Sequence, residues 1–134
     1  MKTEDARRML EAARAKATEI GKPVAVAVLD ASGALVVLER FDDAPPHTAV
    51  VAEGKGAASA FTGRDSGALA AMAQNATPVF NAIVARMQGQ RFVPHQGAVA
   101  VRDQNGIAGA VGVSGATSDE DEAIARAGAA AYGA

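Results

Sequence analysis

The sequence predicts one α+β domain over residues 1–134, a mainly antiparallel sheet of four or five strands flanked by helices. Three observations carry this expectation. The chain has 134 residues, within the roughly 100–150 typical of a single domain. Two pairs of β-rich runs are each joined by a short glycine-containing turn, as in hairpins. Helical patterns precede, separate and follow those pairs, and hairpins with helices between and outside them define the α+β class.

Residues 3–20 place Ala6, Met9, Leu10, Ala13, Ala17 and Ile20 at helical spacing, with Glu4 and Asp5 where the helix dipole favours acids. Gly21 ends this helix. The runs 24–30 and 35–41 flank Ala31, Ser32 and Gly33 and form the first hairpin. Pro45 and Pro46 stop its second strand and open a helix over 47–62, whose face reads Val50, Gly54, Ala57, Ala58 and Phe61. A shorter alanine-rich helix is expected over 67–74. Residues 75–96 read as the least regular part, punctuated by Pro78, Gly89 and Pro94, with a helical turn or two over 79–87. Such a segment suits a binding loop. The runs 97–102 and 107–113 form a second hairpin around Asn105-Gly106. Thr117 and Glu120 have capping-box spacing and start a last helix bearing Ala123, Ile124, Ala127 and Ala131.

Composition narrows the function. Thirteen basic residues against 15 acidic ones, with only four Phe and one Tyr, argue against a nucleic-acid surface. The longest apolar runs, such as 23–29, fall far short of the ~20 residues of a membrane-spanning helix. The charged, polar N-terminus does not read as a signal, which favours the cytoplasm. Cysteine is absent, so thiolate nucleophiles, disulfides and cysteine-held metals are excluded. Alanine fills 34 positions. Small side chains bury little area each, so subunit contacts are expected to supply part of the stability, as a homo-oligomer packed through Ala108, Ala110 and Gly112.

The polar residues offer several constellations. His47 and His95 are the only histidines, each beside a proline in a loop or at a helix start. Imidazole is the best haem-iron ligand or general base this chain owns. Two histidines are too few for a three-histidine zinc site. Gly109, Gly112, Ser114 and Gly115 put small residues on a strand and its exit, just before a helix N-terminus whose free amides suit an anion. Alternatively, these glycines only permit close packing. Their spacing does not match a dinucleotide-binding fingerprint. Lys55, between Gly54 and Gly56, either reaches an anionic ligand group or snorkels from its helix. Asp30, Glu39, Arg40, Asp42 and Asp43 surround the ends of the first hairpin, where carboxylates are more often solvated turn residues than acid–base groups. Met72 and Met87 are possible axial ligands, though methionines more often fill gaps.

The segment FDDAPPHTAVVAEGKGAASAF over 41–61 and the segment GAVAVRDQNGIAGAVGVSGATSDEDEAIARAGA over 97–129 resemble the GlcG/HbpS-like family. The GVSG turn followed by an acid-rich helix start is the more specific of the two. With the first helix and hairpin in order, the resemblance spans nearly the whole chain. It implies a profilin-like α/β/α fold, an oligomeric assembly, and binding of a tetrapyrrole or another small molecule. The family includes a protein of glycolate-utilisation operons, haem-binding sensors and the C-terminal domain of PduO-type corrinoid adenosyltransferases. This chain departs from the pattern with Gln96-Gly97-Ala98 where a double glycine is usual, and with His47 where a small residue is common.

Two functions are therefore expected. The first is a small-molecule binding protein for haem, cobalamin or a similar anionic ligand. His47 or His95 would ligate iron, and Lys55, Ser114, Gly115 and Thr117 would meet the ligand's acidic groups. The second is a cofactor-free isomerase, hydratase or hydrolase of small-molecule catabolism, with His47 or His95 as general base and Ser114 holding a carboxylate or oxyanion. In either case His47 ranks above His95, as the added imidazole at a helix start.

Overall fold

The computed structural model describes residues 1–87 and 91–133; Gly89, expected as punctuation, lies outside the described residues. The elements run α1 (Thr3–Ile20), β1 (Ala25–Asp30), β2 (Leu35–Arg40), α2 (His47–Thr62), α3 (Ser66–Asn75), α4 (Thr77–Arg86), β3 (Ala98–Asp103), β4 (Gly106–Ser114) and α5 (Ser118–Ala130). Among the described residues the strands form one four-stranded antiparallel sheet in the order β2-β1-β4-β3. The α+β expectation holds, with four strands, and both hairpins form where the turns predict them.

Period-two alternation in β1 and β4 divides the core into two layers. Val26 and Val28 of β1 and Val111 and Val113 of β4 join Met9 of α1 and Ile124 of α5 in one buried cluster. Each of these fully buried side chains contributes about 1.5–3 kcal/mol of apolar burial. The opposite face presents Ala25, Ala27 and Leu29, which pack with Ala52 and Ala57 of α2. That second layer is built from small residues, so α2 lies very close to the sheet. A Cβ placed on Gly112 would overlap the carbonyl oxygen of Ala52 and come within 2.7 Å of the Gly56 nitrogen. The glycines flanking Lys55 and those of β4 thus include a close-packing pair.

This closeness corrects several expectations. Ala108, Ala110 and Gly112 are buried within the subunit, Gly112 directly beneath α2, and cannot form a face between subunits. The bulky residues expected on the inner face of α2 turn outward: Val50 is 71% and Phe61 59% exposed, while Gly54, Ala57 and Ala58 stay buried. Helix α5 buries Asp121, Ile124, Ala125 and Gly128 rather than Ala123, Ala127 and Ala131, because its phase carries a carboxylate inward. Residues 77–86 are a full ten-residue helix. Pro78 sits in its first turn, where proline starts a helix instead of breaking one.

The free edge of β3 is covered by side chains. Ser66 Oγ accepts from the Ala98 amide at 2.9 Å, and Asp65 Oδ1 accepts from the Ala100 amide at 3.1 Å. No described helix is long and apolar enough to cross a membrane.

Candidate functional site

A cavity of about 340 Å³ opens where the start of α2, the segment leading into β3, the end of β4 and the start of α5 meet. His47, Lys55, His95, Ser114 and Gly115 all line it. Five of the six residues expected at the site therefore share one pocket, although they lie on three separate segments of the sequence. Thr117 does not line it. Its side chain accepts from the Glu120 amide at 3.2 Å while the Glu120 carboxylate accepts from the Thr117 amide at 3.1 Å, completing the capping box of α5. The Thr117 amide, and after it the Thr117 hydroxyl beside the carboxylate, hold the Glu120 carboxyl below its ordinary value.

The two histidines stand exposed at the rim. His47 is the first residue of α2, and the fold of 41–48 is fixed from within: Thr48 Oγ1 donates to the Pro45 carbonyl at 2.6 Å. His95 is held on the other side, where the Val93 amide donates to the Gly54 carbonyl at 3.0 Å and Gln96 Nε2 donates to Asp119 at 2.9 Å. His95 Nε2 lies 3.3 Å from Ser118 Oγ. Neither imidazole is bonded to a carboxylate among the described residues. Pro45, Val51 and Ala116 give the rim an apolar wall.

The floor is different in kind. Lys55 is 3% exposed, so it does not snorkel to the surface. Its Nζ donates to Asp121 Oδ2 at 3.1 Å and to the Val113 carbonyl at 3.0 Å. Asp121 Oδ1 also accepts from the Ala116 amide at 2.9 Å. Burial pushes the Asp121 carboxyl up, and the Ala116 amide and the Lys55 ammonium pull against that push. Gly97, at φ +133°, closes over the pair; a Cβ there would stand 2.7 Å from Lys55 Nζ. Sequence reasoning missed Asp121 and Ser118. The acid-rich run 119–122 was the available signal, but which acid turns inward depends on the helix phase.

The remaining candidates lie elsewhere. Asp30 organises the first hairpin turn, accepting from the Ser32 amide, the Ser32 hydroxyl and the Ala34 amide. Glu39 pairs with Arg14, Arg40 Nη1 donates to the Ala44 carbonyl, and Asp43 has a φ of 69°. Asp42 borders a separate cavity of about 300 Å³ with Arg14, Lys22 and Phe41. Met72 and Met87 do not line the histidine pocket. Among the described residues, no cluster of three or more His, Asp or Glu side chains gathers as a metal site.

Comparison with known proteins follows the fold. The model of a family described as "Haem degrading protein HbpS-like" matches residues 1–130. A structure of HbpS is 29% identical with a TM-score of 0.88, covering 100% of this chain and 91% of that one. A double mutant of Streptomyces reticuli HbpS is 28% identical with a TM-score of 0.87, covering 100% of this chain and 88% of the other. A PduOC:heme complex is similar in fold, at 24% identity and a TM-score of 0.87, covering 99% and 95% of the two chains. No curated protein matches in sequence.

Proposed function

We propose that this chain, which belongs to the HbpS-like family, is a small-molecule binding protein whose ligand, haem foremost, occupies the pocket between His47 and His95. The observation that carries this reading is the convergence of the only two histidines on one cavity. Two exposed imidazoles beside an apolar wall are the donor set that haem iron takes. When bound, haem would supply an iron centre, and His47 or His95 would be the residue that holds the iron. The cavity, at about 340 Å³, lies at the low end of the roughly 300–1,000 Å³ of small-molecule sites. It suits one edge of a macrocycle or the whole of a smaller ligand. The haem in the family's description and in the PduOC complex supports haem over cobalamin.

Haem titration tests the reading. A Soret shift is expected for the wild type, with a larger loss of affinity in His47→Ala than in His95→Ala. An unchanged spectrum after both substitutions together would remove axial ligation by either residue.

The assembly we propose is a homo-oligomer. Val50 and Phe61 are exposed on α2, and α4 buries none of its residues while leaving Val79 58% and Val84 38% exposed. A helix that buries nothing in its own subunit and bulky side chains turned outward are surface that a second copy could cover. Sedimentation at micromolar concentration should show a species heavier than 13.4 kDa. A 13.4 kDa species alone would overturn it.

One observation favours a second reading as an enzyme: Ser118 Oγ lies within 3.3 Å of His95 Nε2 in the same pocket. A hydroxyl beside an imidazole is the start of a general-base pair. Among the described residues no carboxylate orients the ring, which ranks cofactor-free hydrolysis, hydration or isomerisation second.

A further inference from the structure

We infer that the inner end of the histidine pocket is a carboxylate subsite, formed by Ser114 Oγ and the third N–H of Lys55. The inference rests on the proposed binding function and names the ligand group that the floor selects.

Ser114 is 7% exposed, lines the cavity, and its hydroxyl makes no side-chain hydrogen bond among the described residues. Among the described residues the buried side-chain atoms without a partner are Arg8 Nε and Ser59 Oγ, so the unbonded Ser114 hydroxyl is accessible from the cavity it lines and can donate to a ligand there. Lys55, 3% exposed, also lines the cavity. An ammonium has three donors. Val113 O and Asp121 Oδ2 take two, leaving one. The bond to the Val113 carbonyl fixes Nζ beside the residue that precedes Ser114, and Lys55 and Ser114 line the same cavity. The nearby acids do not compete for them. Asp121 is held by Ala116 and Lys55, Glu120 by the Thr117 amide, and Asp119 by Gln96.

Two convergent donors match the two oxygens of a carboxylate. They do not match a phosphate dianion, which needs more donors and usually arginine. No arginine lines this pocket, and Asp121 already supplies one negative charge to its floor. The carboxylate could belong to a haem propionate or to a small organic acid filling the cavity.

The experiment separates these sources. Wild type and Ser114→Ala are titrated with haem and with haem dimethyl ester by Soret absorbance, and with pyruvate and inorganic phosphate by thermal shift. Circular dichroism checks that the variant is folded; Ser114→Ala is preferred because replacing Lys55 strands Asp121. If the subsite holds a propionate, wild type binds haem about tenfold more tightly than the ester, and Ser114→Ala narrows that gap. If it holds a free acid, haem and ester bind alike, and pyruvate protection of the wild type is lost in Ser114→Ala. Haem and ester binding alike without pyruvate protection would overturn the subsite and leave the pocket-binding reading standing. Pyruvate protection without any Soret shift would overturn haem and keep the subsite. Stronger protection by phosphate than by pyruvate would overturn the carboxylate assignment.

Discussion

At the floor of the pocket, Lys55 and Asp121 are each 3% exposed and hold each other, a carbonyl and an amide. At its rim, His47 and His95 are exposed, and among the described residues the His95 imidazole has Ser118 as its one hydrogen-bond partner. The floor sits on regular structure, the middle of α2 and the first turn of α5, whereas His95 lies outside any helix or strand. Substitutions at the floor should therefore register as stability, and substitutions at the rim as binding with little change in stability. A buried ion pair is weak support for stability in itself, yet removing one partner is severe because the other charge stays buried.

The largest effect that tests this division is expected at Gly112. Gly112→Val forces a side chain into the α2 backbone at Ala52 and Gly56, and a loss above about 3 kcal/mol should appear as a lowered urea midpoint. Lys55→Met should follow at about 3 kcal/mol, the low end for removing one partner of a buried pair, with Lys55→Met plus Asp121→Leu recovering most of it. A neutral Lys55→Met would erase the distinction between floor and rim. Asp30→Ala, away from the pocket, should cost about 1 kcal/mol or less at pH 7.

That third effect has a defined pH dependence. Hydrogen bonding to Ser32, foremost its hydroxyl, and to the Ala34 amide lowers the Asp30 carboxyl below the ordinary 3.8. The folded state therefore releases this proton more readily than the unfolded one. The contribution is complete above the ordinary value and is lost as pH falls through the lowered one. Wild type and variant should converge in acid when compared across a pH series of melts. The smallest stability change, within about 0.5 kcal/mol, is expected for His47→Ala, although that variant should bind haem at least about tenfold more weakly.

Much of the architecture was legible because local signals agreed. Proline and glycine punctuation, the Asn105-Gly106 turn, the Thr117–Glu120 capping box and period-two alternation all pointed to the same hairpins and helices. The α1 face is legible because Met9 and Leu10 anchor it and the rest of the helix is densely charged, so even its alanines stand against Glu, Arg and Lys. The α2 face was misread because alanine, glycine and serine carry almost no hydrophobic contrast, and Val50 and Phe61 drew attention to the wrong side. In the pocket, the two histidines and Ser114 were legible as rare or well-placed polar groups. Asp121 was hidden among neighbouring acids, since charge composition does not reveal which carboxylate a helix phase turns inward. The fate of Lys55 followed from that same phase.

The seal on β3 made by Asp65 and Ser66 has a consequence for how copies of the chain can meet. A sheet with two bare margins can add strands at both and grow without limit, as in fibrils. Here one margin is stoppered and β2 forms the other. Strand addition between copies could use only β2, and the first such union would leave no margin free to recruit a third. Edge pairing through β2 alone would be self-terminating: it would end at two, and anything larger would have to be built through side-chain faces.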